Sequence, residues 1–147
     1  MHDNESETIL LELFRTNQVR ERLIATAMDG LELPPEDYPF YVIIGAEGPW
    51  TPTELAARLE MPLSTVLFRV RRLEKRGHAE RTPNPDDRRS YLVELTRDGQ
   101  ALLGKARPRF RALALAVEQR LGDEQVSGLR GRLGELREAI ETELSRD

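Results

Sequence analysis

Within eight residues the chain sets Arg69, Arg71, Arg72, Lys75 and Arg76, and a little further on Asp87 is followed by Arg88 and Arg89. A guanidinium is a rigid fork of donors. It pairs with a phosphate, or with the edge of a guanine, through two hydrogen bonds at once. A short arginine-rich helix followed by a basic turn therefore suits the groove and phosphates of duplex DNA. Other chemistries lack their residues. There is no cysteine, which excludes disulfides, thiol redox sensing and cysteine-held zinc. The two histidines, His2 and His78, are far apart. No phosphate-cradling glycine loop and no Gly-x-Ser-x-Gly is present, and the carboxylates are dispersed as surface charge. The expectation is no catalytic residue, no metal and no cofactor.

The elements that must position those cations are legible. Thr51-Pro52-Thr53-Glu54 is a helix start, with Thr51 as N-cap, Pro52 at N1 and Glu54 completing a capping box. Leu55, Ala56 and Leu59 form its inward face. Glu60-Met61 leaves only a tight turn before Pro62 begins the next helix, which makes a helix-turn-helix. In that second helix Val66, Val70 and Leu73 share a narrow arc, flanked by Leu63 and Leu67. The opposite side carries Ser64, Phe68, Arg71, Arg72 and Lys75, with Thr65 and Arg69 at its edge. Gly77 closes the helix. His78 to Thr82 and Ser90 to Leu95 alternate as strands about the turn Pro83-Asn84-Pro85-Asp86-Asp87-Arg88-Arg89. A helix-turn-helix with such a hairpin is a winged helix, so the fold class is mainly α with a small β-hairpin.

Long helices flank this unit. Residues 5–29 have helical apolar spacing and stop at Gly30. After the connector Leu33-Pro34-Pro35, Asp37 is placed to cap a buried helix around Phe40, Tyr41, Val42, Ile43 and Ile44. Thr96 opens a helix reaching Leu121, in which Pro108, after Gly104, predicts a kink or a split. A last amphipathic helix aligns Val126, Leu129, Leu133, Leu136, Ile140 and Leu144. The apolar faces of the first and last helices exceed what a small winged-helix core can cover. A second copy would cover them in a two-fold dimer, whose paired recognition helices would match a palindromic site. The reading is one domain, 1–147, with dimerisation helices in 1–32 and 98–147 and the DNA-binding region in 33–97. Net charge is −4, but it divides as −8 over residues 1–60, +4 over 61–97 and 0 over 98–147. Because exposed charges are screened within about 8–10 Å, the local sign governs a contact. No apolar run reaches the length of a membrane span and the first residues are acidic and polar, so a cytoplasmic protein without membrane contact is expected.

Taken in order, the Pro-Pro connector, TPTELAARL, STV, RLEKRG, HAER and PDDRRSYLVELT resemble the MarR family of bacterial transcriptional regulators. The most specific piece is Asp87-Arg88-Arg89-Ser90 leading through an apolar strand to Leu95-Thr96. The resemblance implies that Arg89 enters the minor groove, that Asp87 supports the wing and that Arg88 lies by phosphate. It also implies a small aromatic or phenolic effector, with Tyr38, Phe40, Tyr41 and Trp50 as candidate contacts. The helix departs from the family pattern at Pro62, Leu67 and Phe68. Phe68 makes no hydrogen bond to a base and either contacts DNA or turns inward. Base readout then falls to Ser64, Thr65, Arg69 and Arg72, with Arg71, Lys75 and Arg76 as phosphate contacts or solvated charges. His78 reads as partly buried structure. The functional expectation is a homodimeric, ligand-responsive repressor of duplex DNA. The alternative is a winged helix that binds ligands or proteins and not DNA.

Overall fold

The computed structural model describes residues 8–146. The sequence expectation that the first helix begins at residue 5 lies partly outside them. Helix α1 (Ile9–Ala27) is capped by Thr8, whose hydroxyl accepts the Leu11 N–H at 3.3 Å. A 3-10 turn (Pro35–Asp37) leads into α2 (Tyr38–Glu47). Then come α3 (Pro52–Leu59), α4 (Leu63–Lys75), β1 (Ala79–Pro83) and β2 (Tyr91–Leu95). Two long helices, α5 (Arg97–Leu121) and α6 (Asp123–Leu144), follow. The described residues fall into two compact units, one ending at Phe110 and the other beginning at Arg111, so the division lies inside α5.

The first unit is the winged helix. Its core is Phe40, Tyr41, Leu55, Val66, Val70, Leu73 and Val93, none more than 1% exposed. Each such side chain contributes about 1.5–3 kcal/mol by leaving water. The capping box on α3 forms in full: Thr51 Oγ1 accepts the Glu54 N–H at 3.2 Å, and Glu54 Oε2 accepts the Thr51 N–H at 2.8 Å. The turn to α4 is made by Glu60 in the left-handed region, φ 54°. The hairpin is antiparallel, from Ala79 opposite Leu95 to Pro83 opposite Tyr91. His78 lies just before β1, and β1 runs on through Pro83, one residue beyond the expected strand end.

Trp50, just before α3, adds a third rung to the sheet. Its N–H donates to Val93 O at 3.3 Å and its carbonyl accepts the Val93 N–H at 2.7 Å. The start of α5 sits hard against the end of α4. Thr96 Oγ1 donates to Gly77 O at 2.5 Å and accepts the Gly99 N–H at 3.2 Å. A Cβ on Gly99 would lie 2.1 Å from the His78 carbonyl oxygen, so only glycine fits there. Further along, Arg109 donates to the carbonyls of Ala27 and Asp29 at 3.3 and 2.7 Å, and the Phe110 ring lies 4.6 Å from that of Tyr38. Both contacts tie this part of α5 to the end of α1 and the start of α2.

Two expectations need correction. Of the kink or split expected at Pro108, the split does not occur: α5 continues through it, since the missing N–H removes one backbone hydrogen bond while the turns on either side keep theirs. Asp37 makes no side-chain cap on α2; its carboxylate turns inward to α4 instead.

The second unit holds the remainder of α5 and α6, where Arg130 pairs with Glu118 at 2.7 Å. No residue of α6 is buried. Leu115, Val117, Leu121, Leu129, Leu133 and Leu144 are exposed. In the first unit, α1 likewise exposes Ile9, Leu10, Leu13, Phe14, Val19 and Leu23. No helix among the described residues is long and apolar enough to cross a membrane.

Candidate nucleic-acid interface

Helix α4 divides its two faces cleanly. Val66, Val70 and Leu73 are fully buried. Ser64, Phe68, Arg71 and Lys75, spaced by four, three and four residues, are exposed along the opposite side. Thr65 and Arg72 flank them, half-buried. Phe68 is 57% exposed, which settles its direction: it points out, away from the core. Arg71 and Lys75 have no side-chain partner among the described residues.

The other arginines of α4 are already engaged. Asp37, with no exposed surface, accepts Arg69 Nη1 at 2.9 Å on one oxygen and Arg76 Nη1 at 2.7 Å on the other. Arg72 lies 3.6 Å from Asp37 and 3.7 Å from the exposed Glu36. Burial alone would lower the Arg76 pKa, but hydrogen bonds with Asp37 and Tyr41 more than offset it and hold the guanidinium above its ordinary value. Arg69, expected to read bases, is here turned toward Asp37. Its side chain is 21% exposed and its guanidinium is turned inward, because a buried carboxylate leaves water only with charged partners in place. Arg72 is drawn partly the same way, and Arg76, expected at a phosphate, is bound to Asp37. The sequence signal for this cluster was the spacing of Arg69, Arg72 and Arg76 by three and four, one edge of the helix, opposite a lone Asp in a buried segment.

The cluster continues inward. The Tyr41 hydroxyl lies 2.7 Å from His78 Nδ1, so His78 is held by structure at the junction of α4 and β1. Burial raises the Tyr41 pKa above its ordinary value, against the opposing pull of Arg76.

The wing presents two unpaired cations. Asp87 Oδ1 accepts the Arg89 N–H at 2.9 Å and Asp87 O accepts the Ser90 N–H at 3.1 Å, while Asn84 Oδ1 accepts the Asp86 N–H at 3.0 Å. These bonds shape the turn from within. Arg88 and Arg89 are exposed and have no side-chain partner among the described residues. At the base of the wing, Arg81 forks onto Glu74 at 2.6 and 3.3 Å and lies over the Tyr91 ring at 4.4 Å. That Glu74 contact raises the Arg81 pKa.

The four aromatic effector candidates do not form an open site. Phe40 and Tyr41 are core side chains, 1% and 0% exposed, because α2 is apolar on all sides and packs within the winged helix. Tyr38 is buried against Phe110. Trp50 keeps part of its ring at the surface, but its Nε1–H is given to Ile43 O at 3.0 Å. No group of His, Cys, Asp and Glu among the described residues could hold a metal ion.

A helix-turn-helix braced by a third-strand bridge and followed by a basic hairpin defines a winged helix-turn-helix protein. The MarR family profile matches residues 42–91, which span most of α2 to the start of β2. The multiple antibiotic resistance protein MarR of Salmonella typhimurium is 33% identical over 90 residues, 61% of this chain. That match covers 62% of the Salmonella protein, less than two thirds of its length. A probable transcriptional regulator from Pseudomonas aeruginosa is 30% identical, with a TM-score of 0.77 over 89% of this chain and 98% of that one. A mutant MarR from E. coli complexed with operator DNA is 27% identical, with a TM-score of 0.81 over 91% of this chain and 98% of that one. Over residues 42–91 the chain matches the MarR family, and the proteins and solved structures it resembles here are transcriptional regulators.

Proposed function

We propose that this protein is a sequence-specific transcriptional regulator that binds duplex DNA as a homodimer on a palindromic operator, acting as a repressor. One observation carries the reading. The exposed face of α4 and the tip of the wing leave Arg71, Lys75, Arg88 and Arg89 without protein partners, while neighbouring arginines are paired internally. Ser64, Thr65 and Phe68 face the bases, and Arg89 enters the minor groove, where narrow width concentrates negative potential. Asp87 fixes the turn that presents it. The exposed apolar rows of α1, α5 and α6 support the homodimer, since large unpartnered apolar surface marks an association face. A small aromatic or phenolic effector would act by linkage, weakening operator binding to the extent that it prefers a dimer geometry with misplaced recognition helices.

The test is duplex binding across a salt series. Each phosphate neutralised contributes about 0.9 to the log–log slope, so four cations on each of two chains set a steep slope of up to about −7. Arg89→Ala should cost roughly 1–3 kcal/mol of specific binding with the dimer intact. Micromolar binding that ignores salt and sequence would remove the DNA reading and favour the protein- or ligand-docking alternative.

A further inference from the structure

We infer that Phe68 reads a thymine methyl group, so that each operator half-site carries a thymine that the protein recognises through a hydrophobic contact and not through a hydrogen bond. The inference rests on the DNA-binding role proposed above. Phe68 occupies the middle of the one face of α4 that is not buried, four residues after Ser64 and three before Arg71. More than half of its surface is in water. An aromatic ring in that position contributes nothing to the core, whose contacts on this helix come from Val66, Val70 and Leu73.

The surface it would meet narrows the choice. In the major groove every base edge presents hydrogen-bonding atoms, and the only apolar group is the C5-methyl of thymine. A phenyl ring has neither donor nor acceptor, so its favourable contact there is the methyl, and at other bases it only strips water from polar atoms. Arg69, the nearest cation along the helix, is withdrawn to Asp37 and does not compete for the same base pair. Arg72 does stand beside the ring, its guanidinium carbon 5.9 Å from the ring centre, and is itself drawn toward Asp37 and Glu36. One flank of the phenyl is thereby set by a side chain anchored in the protein, which limits the rotamer freedom lost on contact.

The experiment starts from the full-length protein and a pool of randomised DNA duplexes. The best-retained duplex is then remade with deoxyuridine in place of thymidine at one symmetric pair of positions at a time. Deoxyuridine keeps every hydrogen-bonding atom and removes only the methyl. Removing the methyl that Phe68 covers should weaken binding about fourfold per half-site, at one pair of positions. Phe68→Ala should bind the parent duplex more weakly and respond equally to thymidine and deoxyuridine at that pair. Equal binding of every deoxyuridine duplex by the parent protein overturns the inference, as does a loss that persists in Phe68→Ala or a selected site with no thymine under α4. Failure to select any duplex would instead strike the DNA-binding reading itself, and this inference with it.

Discussion

Replacing Asp37 by alanine tests the most heavily invested contact in the winged helix. Its carboxylate is wholly buried and bound by Arg69 and Arg76 at 2.9 and 2.7 Å, with Arg72 nearby. Each hydrogen bond to a charged group contributes about 1.5–3 kcal/mol. Removing one side of a buried pair costs about 3–5 kcal/mol, because the opposite charge is left without compensation. The three arginine side chains are 21–30% exposed and can turn partly to water, which puts the loss at the low end, about 3 kcal/mol. For a chain of this size that is a fall of about 6–12 °C in Tm. Urea unfolding followed by circular dichroism, at one fixed protein concentration, reads it directly; concentration matters because a dimer stabilises by mass action. Asp86→Ala is the control, an exposed carboxylate that should change stability by less than about 0.5 kcal/mol. If Asp37→Ala also stays within about 0.5 kcal/mol, the arginines are not committed to the interior, and Arg69 returns to the set of DNA contacts.

Tyr41→Phe should change the alkaline limb of stability. Burial raises the folded phenol above its ordinary 10.0, so the unfolded phenol ionises first and stability falls as pH climbs past about 10; the phenylalanine variant should lose that part of the fall. At neutral pH it should be about 1 kcal/mol less stable through loss of the His78 hydrogen bond, measured by the same urea titration. Phe14→Glu, on the exposed apolar row of α1, should raise the dimer dissociation constant about 100-fold, read by sedimentation velocity; an unchanged dimer would place the interface elsewhere.

The parts of this fold legible in the sequence are those set by local rules. The Thr51 capping box, the tight turn at Glu60-Met61 and the buried arc of α4 each need only a few neighbouring residues, and each forms where the spacing put it. The wing turn is of the same kind, since Asp87 bonds to groups two and three residues on. What spacing could not reveal were contacts between distant segments. Asp37 is 32 residues from Arg69 and 39 from Arg76, and as an aspartate just before an apolar helix it looks like a helix cap. Trp50 and Val93 pair across the same kind of gap. The split that Pro108 suggested is also absent, since its missing N–H does not stop α5. The direction of Phe68 was undetermined for a related reason: an apolar ring on a polar helix face can lie in the open or fold against a neighbouring element, and only the packed structure decides.

A net charge of −4 looks unfavourable for a partner as acidic as DNA, and the structure shows why the sum misleads. The cations of α4 and the wing fall into two groups. Arg69, Arg72, Arg76 and Arg81 are engaged by Asp37, Glu36 and Glu74, so their charge is largely neutralised within a few ångströms. Arg71, Lys75, Arg88 and Arg89 are not, and all four are exposed. A phosphate approaching this surface is influenced mainly by charges within about 8–10 Å, so it meets the free group and not the chain total. The paired group still matters, because it ties α4, which carries Arg71 and Lys75, to the 3-10 turn ahead of α2. Losing a member of the internal set should show first in stability, and losing a member of the free set should show first in the salt dependence of DNA binding.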